Sequence, residues 1–259
     1  MSILSSRTQR LGCLILLLNG MGCDASTKST LRVYAATSLT ELFTAGETSF
    51  EAQHPNVDVQ LQFAGSQVLK MQITEGAPAD VYASANRAHV QSLIDSRLLI
   101  EPFALAKNEM ALIVPKGNPN RLHRLKDLPN VKRLVLGGHE VPAGVYARQV
   151  LTRAADDFGE EWLQQVHARV VSHEPNVRLV RTKVTMGEAD AGLVYVTDAN
   201  ASKQVDVVPI APEFNVSTEV VMGITSRGNT DLARDWALFW GGDEGVKQLG
   251  ALGFAEGGP

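Results

Sequence analysis

Two turns rich in serine, glycine and alanine are the clearest candidates for chemistry in this sequence. Ser38 lies in residues 36–40 after one predicted strand, and Ser66 lies in residues 64–67 after the next. Each turn opens a predicted helix, so a hydroxyl group, free backbone N–H groups and a helix N-terminus meet at one place. This combination suits an anion. The alternative is that each serine simply caps its helix.

Two further turns have the same character. Residues 142–144 (Pro-Ala-Gly) precede a helix predicted over 145–155, and residues 174–177 (Glu-Pro-Asn-Val) precede another helix. In a parallel α/β sheet such turns lie together at the carboxyl ends of the strands, where ligands bind. Four similar turns in one chain therefore favour a shared ligand site over four independent helix caps.

The side-chain patterns of common enzymes are missing from the sequence. The six histidines form no HExxH motif and no metal-binding set with cysteine, and Gly65-Ser66 is not followed by the second glycine of a nucleophile elbow. No GxGxxG or P-loop motif occurs. The acidic pairs at 156–157 and 160–161 are interpreted as solvated charges at an exposed helix end. An enzyme is therefore the weaker hypothesis.

The elements that position these turns follow from the apolar periodicity. Alternation over 31–35 and 57–63 predicts two strands, and helical spacing from Leu39 to Phe50 predicts a helix between them that ends at His54-Pro55. Further strands are predicted at 80–84, 110–114, 133–136, 192–196, 206–210 and 219–225, and further helices at 67–75, 87–95, 145–155, after 177 and at 233–240. This alternation predicts an α/β fold with largely parallel sheets.

Composition excludes several classes of protein. The 259 residues include 24 Lys+Arg and 28 Asp+Glu, a formal net charge of −4, which makes nucleic-acid binding improbable. An apolar content of 44% is that of a globular protein and excludes a disordered chain. Cysteine occurs only at Cys13 and Cys23, so a disulfide scaffold is excluded as well.

The N-terminal segment has the pattern of an export signal. Arg7 and Arg10 precede an apolar stretch of 11 residues at 11–21, and polar residues follow at 24–30. We expect a signal peptide at 1–22. Gly22-Cys23 resembles the lipobox of bacterial lipoproteins, although Gly20 stands where leucine is usual, so lipidation of Cys23 is expected as one outcome. Cleavage after the Ala-Ser region would instead release a soluble periplasmic protein.

Four segments of the chain carry a family resemblance: VYAATSLTELF (33–43), FAGSQVLKMQITEGAPADVYASAN (63–86), HEVPAGVYARQVL (139–151) and GEADAGLVYVTDA (187–199). Through these segments, residues 31 to 259 resemble the periplasmic molybdate-binding proteins of ABC importers. The resemblance implies a two-lobed type II periplasmic-binding-protein fold with an oxyanion in the cleft. We expect one lobe at 31–108 plus 214–259 and the other at 109–213. Two crossover strands near 104–112 and 209–219 would form the hinge.

The resemblance also implies binding residues, a ligand and a partner. Ser38 and Ser66 match serines that bind the anion through their hydroxyls, Ala143 and Val177 match donors of backbone N–H groups, and Tyr195 matches a phenol donor. The implied ligand is molybdate or tungstate, so molybdenum is held as an oxyanion and no cofactor is expected. The implied partner is an inner-membrane ABC permease, and the protein is expected to be a monomer and not an enzyme.

The five positions are neutral and all can donate hydrogen bonds. Molybdate, tungstate and sulfate are dianions that only accept hydrogen bonds, whereas phosphate near neutral pH keeps a proton and needs an acceptor. Arg178 and Arg181 lie near the Val177 turn and are interpreted as solvated, with long-range attraction of the anion as the alternative. Three other functions remain open: a sulfate- or thiosulfate-binding protein, the effector domain of a transcription regulator, and an enzyme on the same fold.

Overall fold

A computed structural model of the chain describes residues 28–257. The predicted signal peptide at 1–22 and the lipidation of Cys23 lie outside the described residues and stay predictions. Within residues 28–257, each helix is too short or too polar to cross a lipid bilayer.

Strands and helices alternate along most of the chain. The strands are β1 (Ser29–Ala36), β2 (Val57–Ala64), β3 (Val81–Ser84), β4 (Leu99–Pro115), β5 (Leu134–Gly137), β6 (Val170–Glu174), β7 (Ala191–Tyr195), β8 (Val205–Val208), β9 (Ser217–Thr225) and β10 (Ala255–Glu256). The helices are α1 (Thr40–Gln53), α2 (Ser66–Thr74), α3 (Arg87–Asp95), α4 (Pro142–Phe158), α5 (Glu160–His167), α6 (Val177–Thr185), α7 (Val196–Asn200), α8 (Thr230–Gly241) and α9 (Asp243–Ala251). Short 3-10 turns lie at Thr37–Leu39 and Leu125–Asn130.

The strands form one continuous path in the order β2-β1-β3-β9-β4-β7-β5-β6, with β8 and β10 also paired to β4. Pairing is parallel among β1, β2 and β3 and among β5, β6 and β7. The central strands β4 and β9 pair antiparallel with each other and with their other neighbours. The prediction of an α/β fold is confirmed, but the expectation of largely parallel sheets is wrong at the centre, because β4 and β9 are not joined by helical crossovers.

Strand β4 lies in the middle of this order and pairs with strands on both sides. Residues Leu99 to Glu109 pair with β9, and from Met110 onward β4 pairs with β7 and then β8. We call β1–β3, β9 and β10 with α1–α3, α8 and α9 the first half, and β5–β8 with α4–α7 the second half. Residues 209–216 return the chain to the first half, and there the Asn215 side-chain amide bonds both backbone groups of Met110 at 3.2 and 3.0 Å.

The predicted elements are present with shifted ends, and several elements were not predicted. The sequence indicated a strand only at 110–114, whereas β4 starts at Leu99, because bulges between Ile100 and Ala106 interrupt its alternation. Strands β6 and β10 and helices α5, α7 and α9 were also missed. These elements span two to nine residues, and elements of this length carry little periodic signal, although the short strands β3 and β7 were predicted.

Strand β1 is fixed between two layers of helices. Leu31, Val33 and Ala35 belong to a core cluster with α1, while Tyr34 belongs to a second cluster with α2 and α3. Since alternate side chains of a strand point to opposite faces, β1 is clamped on both sides. The turn that carries Ser38 therefore starts from a rigid strand end.

Helix α1 is held by aromatic packing as well. Phe43 stacks on Trp240 of α8 with ring centroids 5.1 Å apart. Gly46 makes this contact feasible, because a Cβ atom at this position would lie 2.3 Å from the Trp240 ring. The helix that follows the Ser38 turn is thus anchored to the C-terminal helices of the first half.

Candidate functional site

The five residues predicted from the sequence line one small cavity between the two halves. Ser38 and Ser66 come from the first half, and Ala143, Val177 and Tyr195 come from the second. All five are at most 7% exposed. The cavity has an empty volume of about 200 Å³, and it lies where the predicted strand-to-helix turns converge.

The two serines of the first half differ in how they are held. Ser38 lies in the 3-10 turn after β1, and its buried hydroxyl has no hydrogen-bond partner among residues 28–257. Ser66 is the first residue of α2, and its Oγ accepts a hydrogen bond of 3.2 Å from the Ala85 backbone N–H. Tyr82 further fixes Ser66 by donating its hydroxyl to the Ser66 carbonyl at 2.9 Å. The Ser66 hydroxyl proton is still free to donate.

Ala143 lies in the first turn of α4, which approaches the end of β5 very closely. A Cβ atom on Gly144 would lie 2.1 Å from the Gly138 carbonyl oxygen, so only glycine fits there. The Arg148 guanidinium secures this approach with bonds to the carbonyls of Gly137 at 3.0 Å and Gly144 at 2.7 Å. The first-turn amides of α4, including that of Ala143, have no carbonyl within the helix to reach.

Val177 is the first residue of α6. Asn176 caps this helix, with its Oδ1 accepting the Leu179 backbone N–H at 3.0 Å. The cap satisfies one of the free amides and leaves those of the first residues for another acceptor. The Val177 side chain is apolar and buried, so its backbone N–H is the group that it can offer as a hydrogen-bond donor.

Tyr195 ends β7, and its phenol oxygen is buried with no hydrogen-bond partner among the described residues. Burial raises the pKa of Tyr195 well above its ordinary value, with the nearby Tyr146 and Asp198 adding to the shift. The phenol therefore stays protonated at physiological pH. It acts as a hydrogen-bond donor, and an unpaired buried donor is costly unless a ligand accepts from it.

Seven further residues line the cavity and were not predicted as site residues. They are Ala36, Thr37, Gly65, Ala85, Val141, Pro142 and Asn176. Most are apolar or contribute backbone, and they surround the donors with small side chains. All except Ala85 lie close in sequence to the predicted serines and helix starts, and this proximity is the signal that could have found them.

The two halves also touch each other around the cavity. The Gln67 side-chain amide of α2 donates to the Pro175 carbonyl at 2.8 Å, and His89 Nε2 lies 3.1 Å from the Glu140 carbonyl. Burial lowers the pKa of His89, and its hydrogen bond to Glu140 opposes that shift. These contacts place the two halves in a closed arrangement over the cavity.

The prediction that Arg178 and Arg181 are simply solvated is wrong, because Arg178 is only partly exposed and Arg181 is largely buried, and both contact Glu41. Arg178 forms an ion pair with Glu41 of α1, and Arg181 is 12% exposed and donates to the Asp198 carbonyl at 2.9 Å. The expectation was wrong because both arginines reach Glu41 of the other half, and this contact cannot be inferred from helix periodicity alone.

The lining of this cavity is neutral and rich in hydrogen-bond donors. Its lining combines hydroxyls, a phenol and helix N-termini, and no Asp, Glu, Lys, Arg or His is among the described lining residues. Within residues 28–257, no group of three or more His, Cys, Asp or Glu is placed to hold a metal ion. The arrangement can bind a ligand that only accepts hydrogen bonds.

A wider depression in the first half is lined by Arg32, Asp80 and Arg227 among other residues, and none of the buried unpaired side-chain atoms of residues 28–257 belongs to its lining. Its buried carboxylate, Asp80, already accepts the backbone N–H groups of Arg32 at 2.7 Å and Asn229 at 2.6 Å. The Asp80 carboxylate therefore has a structural role, because it connects two chain segments. The Ser38 hydroxyl and the Tyr195 phenol at the interface of the halves have no such partner among the described residues.

Comparison with known proteins is consistent with this geometry. Residues 31–255 match the family described as bacterial extracellular solute-binding protein. The molybdate-binding protein ModA of Mycobacterium tuberculosis is 34% identical over 229 residues, which cover 86% of this chain and 84% of that protein. The molybdate-binding protein ModA of Haemophilus influenzae is 30% identical over 254 residues, covering 93% of this chain and 95% of that protein.

A solved structure gives the same fold. The periplasmic molybdate-binding protein of Azotobacter vinelandii aligns with a TM-score of 0.73 over 87% of this chain and 98% of that one. Its sequence identity to this chain is 21%, so the likeness concerns the fold.

Proposed function

Because the chain belongs to the family of bacterial extracellular solute-binding proteins, we propose that it captures molybdate or tungstate between two lobes and delivers it to an ABC permease. The protein would act by binding and closure, without catalysis and without a resident cofactor. The ligand is the oxyanion itself, so molybdenum is not bound as a bare metal ion.

One observation carries this proposal. The Ser38 hydroxyl and the Tyr195 phenol are buried in the cavity and have no hydrogen-bond partner among the described residues. An unpaired buried polar group costs stability, so such a pair is best explained by a ligand that accepts from both. The relatives whose names state molybdate binding support the choice of oxyanion.

The proposed binding residues are Ser38, Ser66, Ala143, Val177 and Tyr195. Two hydroxyls, a phenol and the amides at helix starts would surround the oxyanion with donors from both halves. Charge on a dianion is thus stabilised by N–H and O–H dipoles and by helix N-termini rather than by a counter-charge. Phosphate fits less well, because the lining offers no carboxylate to accept its proton.

The lobes of the proposed mechanism are residues 31–108 plus 214–259 and residues 109–213. We propose that they open and close as a hinge about the crossings near 104–112 and 209–219. The change of partner along β4, at Glu109 and Met110, supports the first crossing. The Asn215 amide ties the second crossing to Met110.

We further propose that the protein works as a monomer in the periplasm after removal of residues 1–22. Lipidation of Cys23 would anchor it to the membrane, and cleavage at the later Ala-Ser region would leave it soluble. Mass spectrometry of the exported protein distinguishes the two, because only the first adds lipid to an N-terminal cysteine.

Calorimetric titration of the purified protein with molybdate, tungstate, sulfate and phosphate tests the proposed function. We expect tight binding of molybdate and tungstate, weaker binding of sulfate because of its smaller radius, and no measurable binding of phosphate. Binding of sulfate in preference to molybdate would assign the sulfate-type function instead. Absence of binding to all four anions would contradict an oxyanion site.

A further inference from the structure

Four charged side chains cluster beside the cavity without lining it. Glu41 belongs to α1, Arg178 and Arg181 belong to α6, and Asp198 belongs to α7. Arg178 Nη2 donates to Glu41 Oε1, and Arg181 Nη2 lies 3.7 Å from the same oxygen. Arg181 also donates to the Asp198 carbonyl at 2.9 Å, which fixes its guanidinium in the second half.

The ion pair joins the two halves at the cavity. Glu41 follows Ser38 by three residues on the first half, and Arg178 directly follows Val177 on the second. Glu41 and Arg178 are 137 residues apart in sequence. Because each partner is tied to a turn that lines the cavity, the pair forms only when the two turns are brought together.

We propose that Glu41, Arg178 and Arg181 form a latch that holds the closed state and sets the rate at which the bound oxyanion is released. This inference rests on the proposed function. The three residues are positioning residues, since none of them lines the cavity.

The surroundings of the pair suit a reversible contact. The side chains of Glu41 and Arg178 are 39% and 34% exposed, so water can compete for them when the halves separate. A fully buried pair would be costly to open because both charges would lose their partners. A pair at this level of exposure is worth about 1 kcal/mol or less, which corresponds to an effect of up to about 5-fold on release.

Direct electrostatic interaction of these charges with the bound anion is a second effect, and the experiment has to distinguish it from the latch. Glu41 repels a nearby dianion and Arg178 attracts it, over a range set by ionic screening. Under that effect alone, neutralising Glu41 tightens binding and neutralising Arg178 weakens it. The latch predicts that both changes weaken binding. The sign of the Glu41 variant therefore discriminates between the two.

The first test is a double-mutant cycle on the full chain with Glu41→Gln, Arg178→Gln and both together. We expect each single variant to release molybdate about 2- to 5-fold faster in stopped-flow experiments. The association rate should change less than the release rate, and the double variant should release no faster than the faster single variant. Arg234→Gln, which breaks an exposed ion pair with Glu101 inside the first half, should leave both rates unchanged.

Slower or unchanged release from Glu41→Gln would overturn the latch, and so would additive effects in the double variant. Either result leaves the proposed function intact, provided that the wild-type protein binds the oxyanion.

The second test needs no oxyanion. Amide hydrogen exchange of the free protein is measured at residues 138–146, on the second half and away from Glu41. A latch that holds both halves together predicts faster exchange there in both single variants, because loss of the pair opens the whole cleft. Faster exchange confined to residues near 41 and 178 would show a local contact only and would overturn the proposal. If the wild type binds no oxyanion, this second test alone decides on the latch.

Discussion

The Ser38 hydroxyl and the Tyr195 phenol face one cavity from opposite halves of the protein, and both oxygens are buried with no partner among the described residues. One comes from the turn after β1 and the other from the end of β7, so the pair spans the interface of the halves. Two unpaired buried donors at one place support the proposed ligand site.

Removing the Tyr195 or the Ser38 hydroxyl should weaken binding of the oxyanion without lowering the stability of the ligand-free protein. For Tyr195→Phe and Ser38→Ala we expect molybdate affinity to fall about 10- to 100-fold, because a hydrogen bond to a charged group is worth about 1.5–3 kcal/mol. The ligand-free thermal midpoint should stay the same or rise, since an unpaired buried polar atom is removed. Calorimetry and thermal melts measure the two effects. A large fall in the midpoint would mean that the groups stabilise the fold itself.

Ser66→Ala should behave differently, because the Ser66 hydroxyl has a structural partner. The substitution removes a donor to the oxyanion and also leaves the Ala85 N–H without its acceptor. We expect weaker molybdate binding together with a loss of about 1–3 kcal/mol of stability. Chemical denaturation of the ligand-free variant checks the second part. Ser92→Ala on the exposed face of α3 serves as the control, and unchanged affinity in Ser66→Ala would remove Ser66 from the site.

Gly65→Ala tests closure of the halves without replacing a proposed binding residue, although its Cβ would also lie 2.6 Å from Gln67 Nε2, which donates to Pro175. Gly65 has φ −61° and ψ 139°, which alanine adopts freely, but its Cβ would lie 2.5 Å from the Pro175 carbonyl oxygen of the other half. We expect a small effect on folding and a loss of affinity of about 5- to 150-fold, because overpacking costs about 1–3 kcal/mol. Gly241→Ala is the matched control, as a Cβ there meets no atom within 4 Å. Equal affinities for the two variants would show that the halves do not close as described.

The raised pKa of Asp198 predicts that the stability of the protein depends on pH. Burial raises its pKa from the ordinary 3.8 to about 7, with Arg181 and Arg178 opposing the shift and Glu41 adding to it. The folded protein therefore holds a proton that the unfolded chain releases, so the contribution to stability is full below pH 3.8 and is lost as pH rises through about 7. Asp198→Asn should remove this loss, giving a variant that is more stable than the wild type at pH 8. Denaturation curves of the wild type and of Asp198→Asn from pH 5 to 8 measure this difference. If the stabilities of the two proteins change with pH in the same way, the raised pKa of Asp198 is contradicted.

The same ionisation should affect binding. Above pH 7 the Asp198 carboxylate adds a negative charge near Tyr195, which faces the proposed dianion. We expect molybdate affinity to fall about 3- to 10-fold between pH 6 and pH 8. The effect should vanish in Asp198→Asn, and an unchanged pH profile in that variant would assign the dependence to another group.

Much of the site could be predicted from local sequence patterns. Ser38, Ser66, Ala143 and Val177 lie in turns between a strand and a helix, and both the strand ends and the helix starts follow from periodicity and turn residues. Because these turns lie at the carboxyl ends of strands, the sequence indicated that they face one region. The resemblance of the motifs to a known family added Tyr195, which no local pattern singled out.

The roles of individual charged residues could not be predicted in this way. Arg178 and Arg181 have the spacing of exposed helix residues, and the sequence offered no reason to pair them with Glu41. Likewise Gly65 was seen only as part of a turn, whereas the fold places it against Pro175. Both contacts join residues more than 100 positions apart, where periodicity carries no information.

The sequence by itself determined the α/β class, the positions of most elements and the neutral, donor-rich character of the site, because these depend on residue type and short-range spacing. The tertiary structure decided how the two halves meet. It showed that β4 continues from one half into the other, that two hydroxyls are buried at the interface without partners among the described residues, and that Arg178 of α6 pairs with Glu41 of α1. These features depend on the packing of distant segments, in which each side chain gains its contact only when both halves are in place.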